Sequence, residues 1–251
     1  MPALAAYHRH LDYSYATGFY PAMECLLHQP ERVRRVLLSS DAEGTEAAGR
    51  LIELADRLGK RIEIADRVLE KVSGKENCHA AVVFAKQEQT LNPARAHVVL
   101  HHPSDSGNLG TIIRSALGFG MEDLALITPC VDVYDPKTVR ASMGSLFQMR
   151  VQMFDSMEAY TAAFPEHALY LFMLRQSRPM LEVLQAPLKT PFSLVFGNEG
   201  SGLPDTFCTL GSAVRIESND RVDSLNLSVA AAIGCYAFMQ KAYAGGQAAG
   251  M

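Results

Sequence analysis

Residues 193–203 read SLVFGNEGSGL. An apolar run of strand-forming residues passes directly into a loop holding three glycines and one carboxylate, Glu199. In an open α/β sheet such a loop is where a ligand would sit, beyond the carboxyl end of the strand. The loop is not a phosphate loop, because no Lys-Ser/Thr follows its last glycine, and its spacing is not that of a dinucleotide fingerprint. Its composition brings backbone amides against a ligand, and Glu199 suits a ribose or an ammonium group better than a phosphate.

Working outward, the same rhythm recurs. Apolar runs at 97–101, 123–128, 151–154, 168–173, 193–197 and 213–216 read as strands. Helical patterns lie between or after them at 109–120, 136–147, 157–164 and 226–244. Apolar strands alternating with helices predict a mostly parallel sheet covered on both faces. Upstream, helices are expected at 19–28, 43–58 and 67–72, with strands at 34–39, 61–65 and 80–85. In the second helix the apolar residues recur at i, i+3, i+4 and i+7, and Gly59 follows as its stop. The polar stretch KQEQTLNPARA (86–96) reads as a linker, which predicts a small α/β domain over 1–90 and a second domain over 96–251.

Bulk composition limits the function classes. Hydrophobic residues make up 48% of the 251 and charged residues 20%, enough apolar material for a substantial core. No run approaches the roughly 20 apolar residues that span a bilayer, and the opening MPALAAYHRHLDYSY lacks the apolar core of a secretory signal. Five scattered cysteines without a CxxC pair argue against a disulfide framework or a zinc site and fit a reducing, cytoplasmic setting. His101 and His102, neighbours on a strand, are expected on opposite faces and make a poor ligand pair, so no metal is expected. The net charge of −4 sits awkwardly with a nucleic-acid partner. Residues 1–95 carry 13 Lys+Arg and 13 Asp+Glu and the remainder 10 and 14, so any such footprint is a local patch, for which Arg32, Arg34 and Arg35 are candidates.

Two further segments carry chemistry. DSGNLGTIIRSA (105–116) follows the 97–101 strand; its glycines permit close backbone approach, Asn108 is a candidate helix N-cap, and Arg114 lies in an otherwise apolar helix. RIE (215–217) closes a strand, and DSLNLSVA (223–230) opens a helix of small residues. Taken singly, these are a surface arginine, a glycine turn and a capped helix.

In this order and spacing, NLGxxxR, GNEGSGL and SLNLSVA resemble the three motifs of the SpoU (TrmH-like) branch of the SPOUT methyltransferases. DPKTVRASMGSLF (135–147) is similar to that family's pKxxRxSxGxxF stretch. The likeness covers about 96–245. The region before it resembles, less specifically, a ribosomal-protein-like RNA-binding domain, although the family's HQG stands here as His79-Ala80-Ala81. The resemblance implies an α/β fold with a trefoil-knotted SPOUT domain and a cofactor, S-adenosylmethionine (AdoMet). That cofactor would be held by Phe196, Gly197, Asn198, Gly200, Ile216, Leu225 and Asn226. It implies methyl transfer to a ribose 2′-hydroxyl, with Arg114 catalytic and Asn108, Glu199, Ser224 and Asn226 in support. It also implies a homodimer with a shared active site and an RNA partner, with no membrane. The extra N-terminal domain favours ribosomal RNA over transfer RNA; a tRNA ribose methyltransferase and a non-catalytic RNA-binding member are the alternatives.

Overall fold

The computed structural model describes residues 4–73, 78–219 and 221–245. The chain forms two compact units, one of residues 1–87 with 132–148, the other of 88–131 with 149–251.

The first unit holds β1 (Tyr13–Thr17), α1 (Phe19–His28), β2 (Val33–Leu38), α2 (Glu46–Arg57), β3 (Ile62–Ile64), α3 (Asp66–Ser73) and β4 (Ala80–Ala85). Its sheet runs β1-β4-β2-β3, antiparallel except for the β2–β3 pair. β4 (AAVVFA) is buried almost throughout, as expected of a central strand. Thr45 caps α2 by accepting the Ala48 amide, which starts the helix three residues later than the apolar spacing suggests. Gly59 closes that helix at φ +64°. β1 is the strand that periodicity missed: its five residues follow a polar opening, and only pairing with β4 makes them a strand.

The expected basic patch is not one. Arg32 is buried, giving its Nε proton to the Ala85 carbonyl at 2.8 Å and lying over the Phe84 and Tyr134 rings. Arg34 pairs with Asp12 at 2.8 Å, and Arg35 grips the Glu63 carboxylate. Each guanidinium has a partner within the fold, so none is a ready phosphate contact. The helix expected over 136–147 is also broken. α5 (Pro136–Ala141) stops short, and Met143 and Gly144 turn at φ +52° and +82° before a 3₁₀ turn at Ser145–Gln148. A side chain on Gly144 would stand 2.6 Å from Glu24 Cβ, so the turn requires glycine.

The second unit holds β5 (His97–His101), α4 (Ser106–Gly118), β6 (Asp123–Ile127), β7 (Arg150–Phe154), α6 (Met157–Ala163) and β8 (Ala168–Phe172). It continues through β9 (Arg178–Pro179), α7 (Met180–Val183), β10 (Phe192–Phe196), β11 (Ser212–Arg215) and α8 (Leu227–Ala244). All seven strands pair in parallel, in the order β7-β6-β5-β10-β8-β11-β9. One face packs Val99, Ala125, Val195 and Leu171 against Met157, Tyr160 and Phe164 of the α6 region. The other packs Tyr170, Phe172 and Phe192 against Phe238 of α8. With both faces covered, the strands are apolar throughout. From β5 the chain steps outward through β6 and β7. It then returns to place β8 on the far side of β10, so the direction of winding reverses between β5 and β10. That reversal is where an open α/β sheet leaves its ligand crevice.

Candidate active site

The loops leaving β5 and β10 lie side by side because those strands are neighbours. From the β10 loop, Glu199 reaches to the start of α4 and is saturated with donors. Its Oε2 accepts from the Ser104 amide at 3.0 Å and hydroxyl at 2.7 Å; Oε1 accepts from the Asp105 amide at 3.1 Å and Asn108 Nδ2 at 3.3 Å. Partial burial disfavours the charge, but the Ser104 hydroxyl and the backbone amides outweigh it and hold the carboxyl below its usual range.

Asp105, not Asn108, caps α4: its side chain accepts the Asn108 amide at 2.7 Å. The helix therefore starts three residues earlier than the apolar pattern indicated, and the Asn108 side chain is free for other work. Its geometry permits one assignment. A carboxylate only accepts, so Asn108 must turn its NH₂ to Glu199 and its Oδ1 away. That Oδ1 then takes a proton from Asn226 Nδ2 at 3.1 Å, which leaves Asn226 Oδ1 to accept the Ser228 amide at 2.8 Å and hydroxyl at 2.7 Å. Asn226 is the N-cap of α8. Motifs from three parts of the chain thus form one oriented chain running from the Glu199 carboxylate through two amides, and Asn108 and Asn226 each keep one N–H uncommitted among the described residues.

The GNEGSG loop is a tight return. Asn198 and Gly202 exchange backbone hydrogen bonds at 3.0 and 3.2 Å, and Asn198 Oδ1 accepts the Gly200 amide at 2.9 Å. Its Nδ2 donates to the His102 carbonyl at 2.8 Å, tying the loop to β5. A side chain on Gly197 would stand 2.1 Å from the Gly202 carbonyl carbon, so the loop closes only with glycine there. His102 itself takes φ +55°, which swings its ring onto His101 with centroids 3.8 Å apart. The two rings are stacked and not on opposite faces. Strand alternation failed because β5 ends at His101. Among the described residues, no grouping of three or more His, Cys, Asp or Glu could hold a metal ion.

Beside this cluster lies a cavity of about 630 Å³, within the range of ligand pockets. Phe172, Phe196, Leu203, Val214, Ile216, Leu225 and Leu227 give it apolar walls, and the backbone of 197–202 lines one side. Of the residues singled out by sequence, Phe196, Gly197, Asn198, Glu199, Gly200, Ile216, Ser224 and Leu225 line it. Asn108 and Asn226 stand at its edge through the amide chain. Arg114 does not line it. Arg114 is exposed, makes no hydrogen bond or ion pair among the described residues, and follows Asn108 by six residues, about 9 Å along the helix axis. Sequence reading missed Ser104, which holds Glu199, and Arg175 and Asp205, which line the cavity from neighbouring loops. Ser104-Asp105 directly before the glycines was a legible capping signal.

Residues 95–236, more than half of the chain, match the model of the SpoU rRNA Methylase family. A tRNA/rRNA methyltransferase of uncharacterised role from Synechocystis is 30% identical over 61% of this chain and 63% of its own length. A 23S rRNA (uridine(2479)-2′-O)-methyltransferase from Streptomyces viridochromogenes is 33% identical over 59% of this chain and 53% of its own. The matched stretch thus spans between about half and under two thirds of these relatives. Among solved structures, the SpoU methyltransferase AviRb from Streptomyces viridochromogenes superposes with a TM-score of 0.76 at 25% identity, covering 95% of this chain and 92% of that one. An AdoMet-bound rRNA methyltransferase from Sinorhizobium meliloti shares the fold at a TM-score of 0.74 and 21% identity, over 91% and 87% of the two chains. The chain belongs to the SpoU rRNA methylase family.

Proposed function

We propose that this protein transfers a methyl group from AdoMet to a ribose 2′-hydroxyl of structured RNA, with ribosomal RNA as the substrate. One observation carries the reading: the cavity abuts the Glu199–Asn108–Asn226 chain at the winding reversal of the parallel sheet. The cavity suits the group, offering the apolar side chains of Ile216, Leu225 and Leu227 and the loop of 197–202 in its lining. Phe196, Gly197, Asn198, Gly200, Ile216, Leu225 and Asn226 would hold it. When bound, AdoMet supplies an electrophilic methyl group on a sulfonium.

The chain's own residues do the rest. Glu199 is a positioning residue: its filled oxygens fix Asn108, which fixes Asn226, and the two uncommitted amide N–H groups offer donors at the cavity edge. Ser224 adds a hydroxyl there. Arg114, exposed and without a partner among the described residues, is a cation available to the RNA. A guanidinium keeps its proton, so its role is to hold the ribose and phosphate and to stabilise charge that develops on the attacking oxygen. Relatives bearing the names of 23S rRNA 2′-O-methyltransferases support the ribosomal substrate.

The active protein is a homodimer. α8 is largely apolar, and Val229, Tyr236 and Tyr243 lie exposed seven residues apart on one face. A stripe of that spacing suits a second copy of the same helix. No helix among the described residues is long and apolar enough to cross a membrane, and the cysteine pattern supports the cytoplasm as its site of action.

Transfer of labelled methyl from AdoMet to total RNA of cells lacking the protein tests the reading, with Arg114→Ala as control. Label at a 2′-oxygen of ribosomal RNA, lost with Arg114→Ala, is the expected result. Label confined to transfer RNA overturns the substrate, and AdoMet binding without transfer to any RNA overturns the enzyme.

A further inference from the structure

The cavity is lined by apolar and polar side chains alike, and the charged residues at its exposed mouth have a use the motifs do not supply. Two cations line it, Arg175 and Arg215. Arg215 is spent within the protein, its Nη1 donating to the Ser177 carbonyl and so pinning the loop that leaves β8. A second tie holds that loop, where the Cys208 thiol donates to Gln176 Oε1 at 3.5 Å, and Gln176 turns at φ +51°. Arg175 projects from this pinned loop with its side chain 81% exposed. Its sole described partner is the Asp205 carboxylate at 3.8 Å, itself 61% exposed and also lining the cavity. That distance is too long for a hydrogen bond, and an exposed pair of this kind contributes little to stability. Arg175 is thus carried on a pinned loop, and neither charge is committed to the other.

Resting on the cofactor reading above, we infer that Arg175 and Asp205 form the subsite for the amino-acid end of AdoMet. That end is a zwitterion whose carboxylate and ammonium share one carbon, so their charged atoms lie about 3 Å apart. A cation and an anion offered side by side at the mouth match it: Arg175 takes the carboxylate and Asp205 the ammonium. The other acids of the cavity suit this less well. Glu199 has its oxygens filled by Ser104, Asp105 and Asn108, and Asp223 makes no ion pair among the described residues.

Calorimetric titration of two ligands separates the ends of the cofactor. S-adenosylhomocysteine carries the amino-acid end, whereas 5′-methylthioadenosine stops at the thioether. Arg175→Ala is expected to weaken S-adenosylhomocysteine about tenfold or more and to leave 5′-methylthioadenosine within about twofold. Asp205→Asn is expected to act in the same selective way. Retained binding of 5′-methylthioadenosine also reports that the variants are folded. Unchanged S-adenosylhomocysteine affinity, or equal loss of both ligands, overturns the assignment while the cofactor reading stands. Unchanged cofactor affinity with weakened RNA binding likewise overturns it and makes Arg175 a phosphate contact. A wild-type protein that binds neither ligand refutes the cofactor reading, and this subsite with it.

Discussion

Glu199→Gln is nearly isosteric, yet it should break the site by a simple count of donors. In the folded protein Oε1 faces the Asp105 N–H and Oε2 faces the Ser104 N–H. A glutamine has one oxygen, so whichever way its amide turns, an NH₂ group meets a backbone N–H. At least one hydrogen bond to a charged acceptor is lost, worth about 1.5–3 kcal/mol, and a donor–donor contact takes its place. Discounting for the exposed setting of Ser104 and Asp105, the net cost is about 2 kcal/mol. For a chain of this size that corresponds to a fall in Tm of about 4–8 °C. The cost must also depend on pH. The carboxyl is held below its ordinary value of 4.5, so its contribution is fully present above that pH and is lost as pH falls through the folded value. Melting curves of both proteins from pH 7 downward should therefore show a gap that closes in acid, where wild-type Glu199 is also protonated. A gap absent at pH 7, or one that widens in acid, would refute the argument.

Other substitutions test the remaining parts. Gly197→Ala forces a methyl group onto the Gly202 carbonyl carbon and should cost about 3 kcal/mol, with AdoMet affinity lost in the same titration that detects it for wild type. Asn226→Asp keeps an acceptor for the Ser228 amide, so helicity and Tm should hold to within about 1 kcal/mol. It presents an acceptor to Asn108 Oδ1, however, and turnover should fall about tenfold or more. Arg114→Lys keeps the charge but not the planar fork; retention of most of the rate in the methyl-transfer assay would count against any role that needs the fork. His97 and His167 are pushed below 6.5 chiefly by burial, among Tyr160, Ser193, Asp123 and Arg150. The unfolded chain then binds protons first, so stability should be full above pH 6.5 and decline below it. His97→Gln should flatten that decline in denaturant titrations.

The sequence by itself determined the layers and most of the residues that meet at the cavity. The six parallel strands expected in the second unit all formed, because a strand covered on both faces must be apolar along its length, and that signal is local. The same holds for Gly59 as the α2 stop. Tertiary structure alone decided what depended on residues distant in the chain. β1 is a strand because β4 pairs with it, and the arginines at 32–35 are structural because Asp12, Glu63 and Ala85 come to meet them. Asn108 is an orienting side chain and not a cap, because Asp105 takes the cap and Glu199 arrives from 91 residues away. Arg175 and Asp205 carry no motif, and only the adjacency of the loops after β8 and β10 brings them to one cavity mouth. Periodicity records what one segment buries, whereas the partner of a polar side chain is fixed by which strands are neighbours, and no local pattern encodes that.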